Sequence, residues 1–200
     1  MRRIARSANS VSKNDDTARR ILGIDPSLTS TGFSYRIDDT PYTGTIQPGK
    51  LKGPARLYYI RERAQEVIEA ARPDLIVMED YAYSRGPKSG RVFNIGEGGG
   101  VLKLLFWEAG IDVMILSSTA LKLAITGKGR LPKGNEGKQV MVRSIQKLLD
   151  YNIQQYDEAD AFGLMAFGEA MINGRGPLLL RQRVRAAESP TMERGGKLKK

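Results

Sequence analysis

Apolar residues along this chain fall into short runs with two distinct periods. Residues 21–25 form one such run, halted by Pro26, which has no N–H for a sheet ladder; a strand ending at Asp25 is predicted. Beyond the turn at 27–31, Phe33, Tyr35 and Ile37 alternate with small or polar residues. Residues 42–46 follow an Asp-Asp-Thr-Pro break, so the three segments read as an antiparallel meander. Between Ala55 and Ala71 the period changes: Leu57, Ile60, Ala64, Val67, Ile68 and Ala71 recur at helical spacing, and Arg72-Pro73 ends the helix. Residues 75–78 and 113–116 are continuous apolar runs, as expected of strands covered on both faces. A helix over about 92–109 would join them, the crossover that parallel strands require. Helices near 139–149 and 157–172 complete the pattern, which predicts an α/β fold: a mixed five-stranded sheet flanked by helices.

The ends of the chain carry no such periodicity. Residues 1–19 read as a basic flexible arm, 20–173 as one folded domain, and 174–200, opened by Gly174 and Pro177, as a basic flexible tail. No apolar run is long enough to cross a bilayer. Arg2, Arg3 and Arg6 precede no apolar stretch of the secretory kind, so a cytoplasmic, DNA-associated protein is expected, with organellar import left open.

Charge sharpens this division. The net charge is +10, yet residues 1–20 hold six basic and two acidic side chains and residues 174–200 hold eight and two, which leaves the middle neutral. Basic ends of this kind attract phosphate backbones in a salt-sensitive way, although solubilising disorder suits the composition equally well. Inside the neutral domain, Lys122, Lys128, Arg130, Lys133, Lys138, Arg143 and Lys147 face only Glu136. Gly127, Gly129, Gly134 and Gly137 punctuate this stretch and would let backbone approach a polyanion closely.

The absence of histidine and cysteine removes the commonest general base, the commonest zinc ligands and all thiolate chemistry. Hydrolysis would need other groups, and four carboxylates offer them. Asp25 and Glu79 close two apolar strands, while Asp157 and Asp160 lie three apart on an apolar helical stripe with Ala161 and Leu164. Such acids could converge on two cations roughly 4 Å apart, of the kind that activate water and stabilise a leaving oxygen in phosphodiester hydrolysis. An all-oxygen donor set favours Mg²⁺, with Mn²⁺ able to substitute, over zinc. Singly, each acid also suits a structural role: Asp157 as a helix N-cap, Glu79 as a solvent-facing strand end. Glu158 should point about 100° away from Asp157 around its helix, and Asp80 to the other side of its strand from Glu79.

The motifs Gly23-Ile24-Asp25-Pro26 with Gly32, Ile76-Val77-Met78-Glu79, Gly127-Lys128-Gly129 followed by Lys138-Gln139-Val140, and Asp157-Glu158-Ala159-Asp160-Ala161 are similar to those of the RuvC family of Holliday junction resolvases, over about residues 20–173. The resemblance implies an RNase H-like fold and metal ligation by Asp25, Glu79, Asp157 and Asp160. It also implies that Lys122 and Lys138 stand near the scissile phosphate, as stabilisers of transition-state charge or as grips on a neighbouring phosphate. Lys128, Arg130, Lys133 and Arg143 are then candidate DNA contacts. Tyr81 and Tyr83 lie where the family places an aromatic wedge, at a slightly different offset, and ordinary loop packing would explain them too.

The resemblance further implies a homodimer on branched DNA, since nicking two symmetric strands of a four-way junction needs two sites about a two-fold axis. The helix after the Glu79 strand would help form that interface; it departs from the family in containing Gly96, Gly98, Gly99 and Gly100, which weaken an isolated helix but allow close backbone approach. The longer loop at 130–137 and the added N-terminal arm look like those of a bacteriophage member. Two other readings share parts of the pattern. A hybrid-cutting RNase H-type enzyme would use the same acids. The segment from Gly23 to Gly32 also resembles the phosphate hairpin of actin-like ATPases and sugar kinases, which need two such domains where 200 residues provide room for one.

Overall fold

The computed structural model describes residues 18–80, 91–153, 155–187 and 190–196, with 91–95 as backbone only. The N-terminal arm up to residue 17 and both Tyr81 and Tyr83 lie outside the described residues. Elements follow in the order β1 (Ile21–Asp25), β2 (Thr31–Ile37), β3 (Thr40–Ile46), α1 (Gly53–Ala71), β4 (Leu75–Glu79), α2 (Arg91–Glu108), β5 (Asp112–Leu116), α3 (Ser118–Thr126), α4 (Asn135–Leu149), α5 (Tyr156–Ile172), α6 (Leu178–Ala186) and β6 (Thr191–Glu193). They build one mixed sheet of order β3-β2-β1-β4-β5-β6. Strands β1, β4 and β5 run parallel, while β2, β3 and β6 are antiparallel to their neighbours.

The period of two along each strand sorts side chains into two cores. Leu22, Ile24, Ile76, Met78, Val113 and Ile115 pack beneath α1 and α2. Ile21, Leu75, Val77, Met114 and Leu116 face the other way, onto α5 and the helices behind it. Helix α5 is apolar all round because it is buried all round: from Ala161 to Ala170 every residue is shielded from solvent. Its close seating depends on absent side chains. A Cβ at Gly23 would collide with the Ala161 carbonyl, and one at Gly32 with the Asp157 carbonyl, so the first turns of α5 rest directly on β1 and β2.

Three features depart from the expected pattern. The sheet has six strands rather than five, and α3 occupies a stretch read above only as basic. Residues 178–186 and 191–193, expected within a flexible tail, form α6 and β6. Leu180 and Val184 of α6 are buried in the α5 core, and β6 pairs with the β5 edge through Val113–Glu193, Met114–Met192 and Ile115–Thr191. Three arginines interrupt the apolar residues of this segment, and the anchors that fix it show their purpose only against the folded domain.

Candidate active site at the carboxyl edge of the sheet

Strand alternation aims both strand-end acids at one helix. Because Ile21 and Gly23 face α5, so does Asp25; because Leu75 and Val77 face it, so does Glu79. The parallel register pairs Ile24 with Met78, so the two carboxylates emerge side by side at the same edge. Asp157 lies in the first turn of α5 and Asp160 one turn further on. Gln155 occupies the N-cap position, which rules out the capping role considered for Asp157.

The electrostatics register this convergence. Burial, then the charges of Glu79, Asp160 and Asp157, push the Asp25 carboxyl well above the usual carboxylate range, against the pull of Lys138. Asp160 is raised from 3.8 to about 7 by burial and by Glu79, while Lys122 and Lys138 oppose the shift. Glu79 is raised chiefly by burial, with Ser118 and Lys122 holding it down. Each acid nonetheless keeps a solvent-facing edge. Four acids facing one another against two lysines leave an excess of negative charge in a partly dry pocket, a condition that bound cations relieve.

The donor set therefore fits hard divalent cations in chemistry and in charge. Among the described residues no three acidic side chains close tightly enough to hold an ion by themselves. Oxygens from water or phosphate would have to complete any coordination sphere, which suits a site shared with a nucleic-acid backbone.

The two lysines stand at different depths. Lys122, on α3, is half-buried and donates to the Ser118 hydroxyl at 2.6 Å. Lys138, near the start of α4, is exposed at the rim, 3.8 Å from an Asp157 carboxylate oxygen, with its ammonium 5.3 Å from the Tyr156 ring centroid. Glu158, set aside on helical geometry, is engaged elsewhere and accepts from the Thr43 hydroxyl at 3.0 Å. Lys128, Arg130 and Lys133 are exposed on the α3–α4 connection, and Arg143 on α4, where it donates to Gln139. That connection is pinned: Thr126 binds Lys128 at both its N–H and its carbonyl, and Gly127 adopts a left-handed φ of 78° that ends α3. Arg183 of α6 donates to the Ile125 carbonyl at 3.0 Å, so the C-terminal helix braces the basic loop.

Ser118, Tyr156 and Arg183 were not singled out from the sequence. The signal for Ser118 was present: Ser117 and Gly127 bracket α3 as N-cap and C-terminal glycine, and Ser118 precedes Lys122 by four positions.

A mixed sheet with helices on both faces and carboxylates gathered at one edge defines an α/β protein of the RNase H-like class. A family model described as crossover junction endodeoxyribonuclease RuvC matches residues 21–167. The chain belongs to the RuvC family. Curated relatives include the crossover junction endodeoxyribonuclease RuvC of Syntrophomonas wolfei, 30% identical over 155 residues and covering 72% of this chain and 85% of the relative. That of Dictyoglomus thermophilum is 29% identical over 150 residues, covering 72% and 92%. The fold is that of Thermus thermophilus RuvC, with a TM-score of 0.60 at 17% identity over 86% of this chain and 99% of that one.

Proposed function

We propose that the chain is a metal-dependent endonuclease that resolves four-way DNA junctions by paired phosphodiester hydrolysis. The observation that carries this reading is the raised carboxyl set at the sheet edge: acids packed to repel one another are costly unless a cationic ligand repays them. Asp25, Glu79, Asp157 and Asp160 would hold two Mg²⁺ ions per site, with Mn²⁺ able to replace them. When bound, such ions supply the Lewis acidity that activates water and stabilises the leaving oxygen. Lys138, exposed at the mouth, can meet an incoming phosphate first, and Lys122, deeper, can donate to the oxygen on which charge builds. Lys128, Arg130, Lys133 and Arg143 would hold flanking backbone, and Tyr81 or Tyr83 would unstack bases at the junction centre.

Names of relatives support the substrate, as does a Thermus thermophilus RuvC structure solved with a Holliday junction, which has the same fold. A homodimer acting through α2 agrees with Gly96 and Gly100, four apart, where an added Cβ would meet only open space. Among the described residues no helix is long and apolar enough to cross a membrane.

Incubation in Mg²⁺ with a labelled four-way junction, a linear duplex and an RNA–DNA hybrid tests the reading. Symmetric nicks confined to the junction are expected, whereas preferential cutting of the hybrid would overturn it in favour of an RNase H-type activity. Asp25→Asn should abolish nicking and leave junction binding intact; undiminished cleavage would remove Asp25 from the site.

A further inference from the structure

We infer that Ser118 is a positioning residue that ties Lys122 to Glu79 through its hydroxyl, holding the lysine beside the carboxylates without letting it pair with them. The inference rests on the nuclease reading above and assigns a task to a side chain outside the acid and lysine set.

The placement follows from the sheet register. Glu79 pairs with Leu116 at the ends of β4 and β5, so the residues just after β5 emerge alongside Glu79. Ser117 and Ser118 then divide two tasks. Ser117 is the N-cap of α3 and accepts the Ala120 N–H at 3.1 Å. Ser118, the first helical residue, is left free to reach the site, and Lys122 stands one turn behind it on the same face.

Donor chemistry fixes the direction of the bridge. An ammonium has only hydrogens to offer, so the Ser118 oxygen must accept from Lys122 at 2.6 Å. The serine's own hydrogen is then free to point onward, toward the Glu79 carboxylate that the β4–β5 register sets alongside it and that Ser118 helps to hold down. Lys122 forms no direct ion pair within 4.0 Å among the described residues, in contrast to Lys138, which lies 3.8 Å from Asp157. The intervening hydroxyl thus leaves two of the three ammonium hydrogens for a phosphate and leaves carboxylate lone pairs for a cation. A lysine bound directly to Glu79 would occupy both at once. With a flexible four-carbon stem, Lys122 depends on such an anchor to be in place when the phosphate arrives.

The test uses the full-length protein and the variants Ser118→Ala, Ser118→Thr, Lys122→Met and Ser118→Ala/Lys122→Met. Loss of a hydrogen bond to a charged group should slow single-turnover junction cleavage in saturating Mg²⁺ about 10-fold in Ser118→Ala. Junction affinity in EDTA should stay within about 2-fold, since the bridge orders the reacting groups rather than the bulk of the phosphate contacts. Ser118→Thr, which keeps the hydroxyl, should recover most of the rate, and Ser118→Ala should cost little further in the Lys122→Met background. A readout independent of cleavage is the Lys122 ammonium signal in lysine-selective NMR, assigned by its loss in Lys122→Met. It should be present in the wild type and Ser118→Thr and broadened by solvent exchange in Ser118→Ala. An unaltered cleavage rate in Ser118→Ala, an equally slow Ser118→Thr, full additivity with Lys122→Met, or a Lys122 signal indifferent to Ser118 would each overturn the inference. If the wild type nicks no junction while the signal still depends on Ser118, the nuclease reading fails and the bridge stands.

Discussion

Replacing Asp160 by asparagine should make the metal-free protein more stable at pH 8 while weakening its response to Mg²⁺. Asp160 is raised from 3.8 to about 7, first by burial and then by Glu79. A carboxyl whose folded value lies above its unfolded one binds more protons in the folded state, so stability falls as pH rises between about 4 and 7. Above that window the cost of ionising it inside the site is fully present. At 1.36 kcal/mol per pH unit the shift corresponds to about 4 kcal/mol, and the solvent-facing edge of the site reduces this to about 2 kcal/mol. Asparagine has nearly the same shape and carries no charge, so the cost disappears. For a chain of this length the gain should raise Tm by about 4–8 °C in EDTA at pH 8. At pH 4, where Asp160 is protonated, the two proteins should melt together. Mg²⁺ should reverse the order: a ligand at 100 times its Kd stabilises the wild type by about 2.7 kcal/mol, and the variant, short of one ligand, by much less. Differential scanning calorimetry across pH, with and without Mg²⁺, reads all three comparisons. A variant that is less stable than the wild type at pH 8 in EDTA, or one whose difference is the same at pH 4 and pH 8, would refute the argument that these acids are held at an electrostatic cost.

Gly32→Ala should cost about 2 kcal/mol and abolish cleavage together, because the added methyl overlaps the Asp157 carbonyl and must lift the first turn of α5 from the sheet; denaturation and nicking assays read the two losses. Leu180→Ala should destabilise by about 3 kcal/mol, since α6 anchors in the core there, and a variant as stable as the wild type would return α6 to the status of a loose tail. Charge on the same helix is better probed by Arg185→Gln than by truncation: a shallower salt dependence of DNA binding is expected, and an unchanged slope would mean that this exposed arginine touches no phosphate. Glu169→Ala should cost about 3 kcal/mol by stranding the Arg36 guanidinium now held at 2.9 Å, whereas Arg36→Met with Glu169→Leu should lose far less, as urea titration can show.

How much of this was legible beforehand follows physical lines. The strands β1, β4 and β5 announce themselves because each is buried on both faces, which forces an uninterrupted apolar run. The acids at the ends of β1 and β4 were legible for the same reason: Asp25 and Glu79 stand where those runs stop. Helix α3 was bracketed by signals, Ser117 before it and Gly127 after it, but its lysine and the basic residues that follow drew the eye to charge rather than period. Helix α6 and strand β6 are different in kind. Only Leu180 and Val184 of α6 are buried, and β6 is three residues long with none fully buried, so nothing local distinguishes it from a tail. Its conformation is dictated by the open β5 edge and by Gly195 and Gly196, which lie against Gly110 and Trp107 where no side chain could fit. That information sits elsewhere in the chain.

The site itself is built as much by small residues as by acids. Asp157 and Asp160 reach Asp25 because α5 approaches the sheet over Gly23 and Gly32, and Gly168 repeats the device further along, where a Cβ would meet Val77 and Ile21 at 2.6 and 2.8 Å. An apolar helix lodged between a sheet and three other helices cannot slide to relieve repulsion at its first turn, because its core contacts along the rest of its length hold it. Hydrophobic packing of α5 thus sets the spacing of the acids, and the acids' charges resist that spacing without being able to change it. Burial and mutual repulsion are therefore expressed as raised pKa values at Asp25 and Asp160 rather than as movement, and that cost remains available to be discharged by whatever cation the pocket admits. If these acids hold the metal as proposed above, stability surrendered at the first turn of one helix is converted into affinity for the ion.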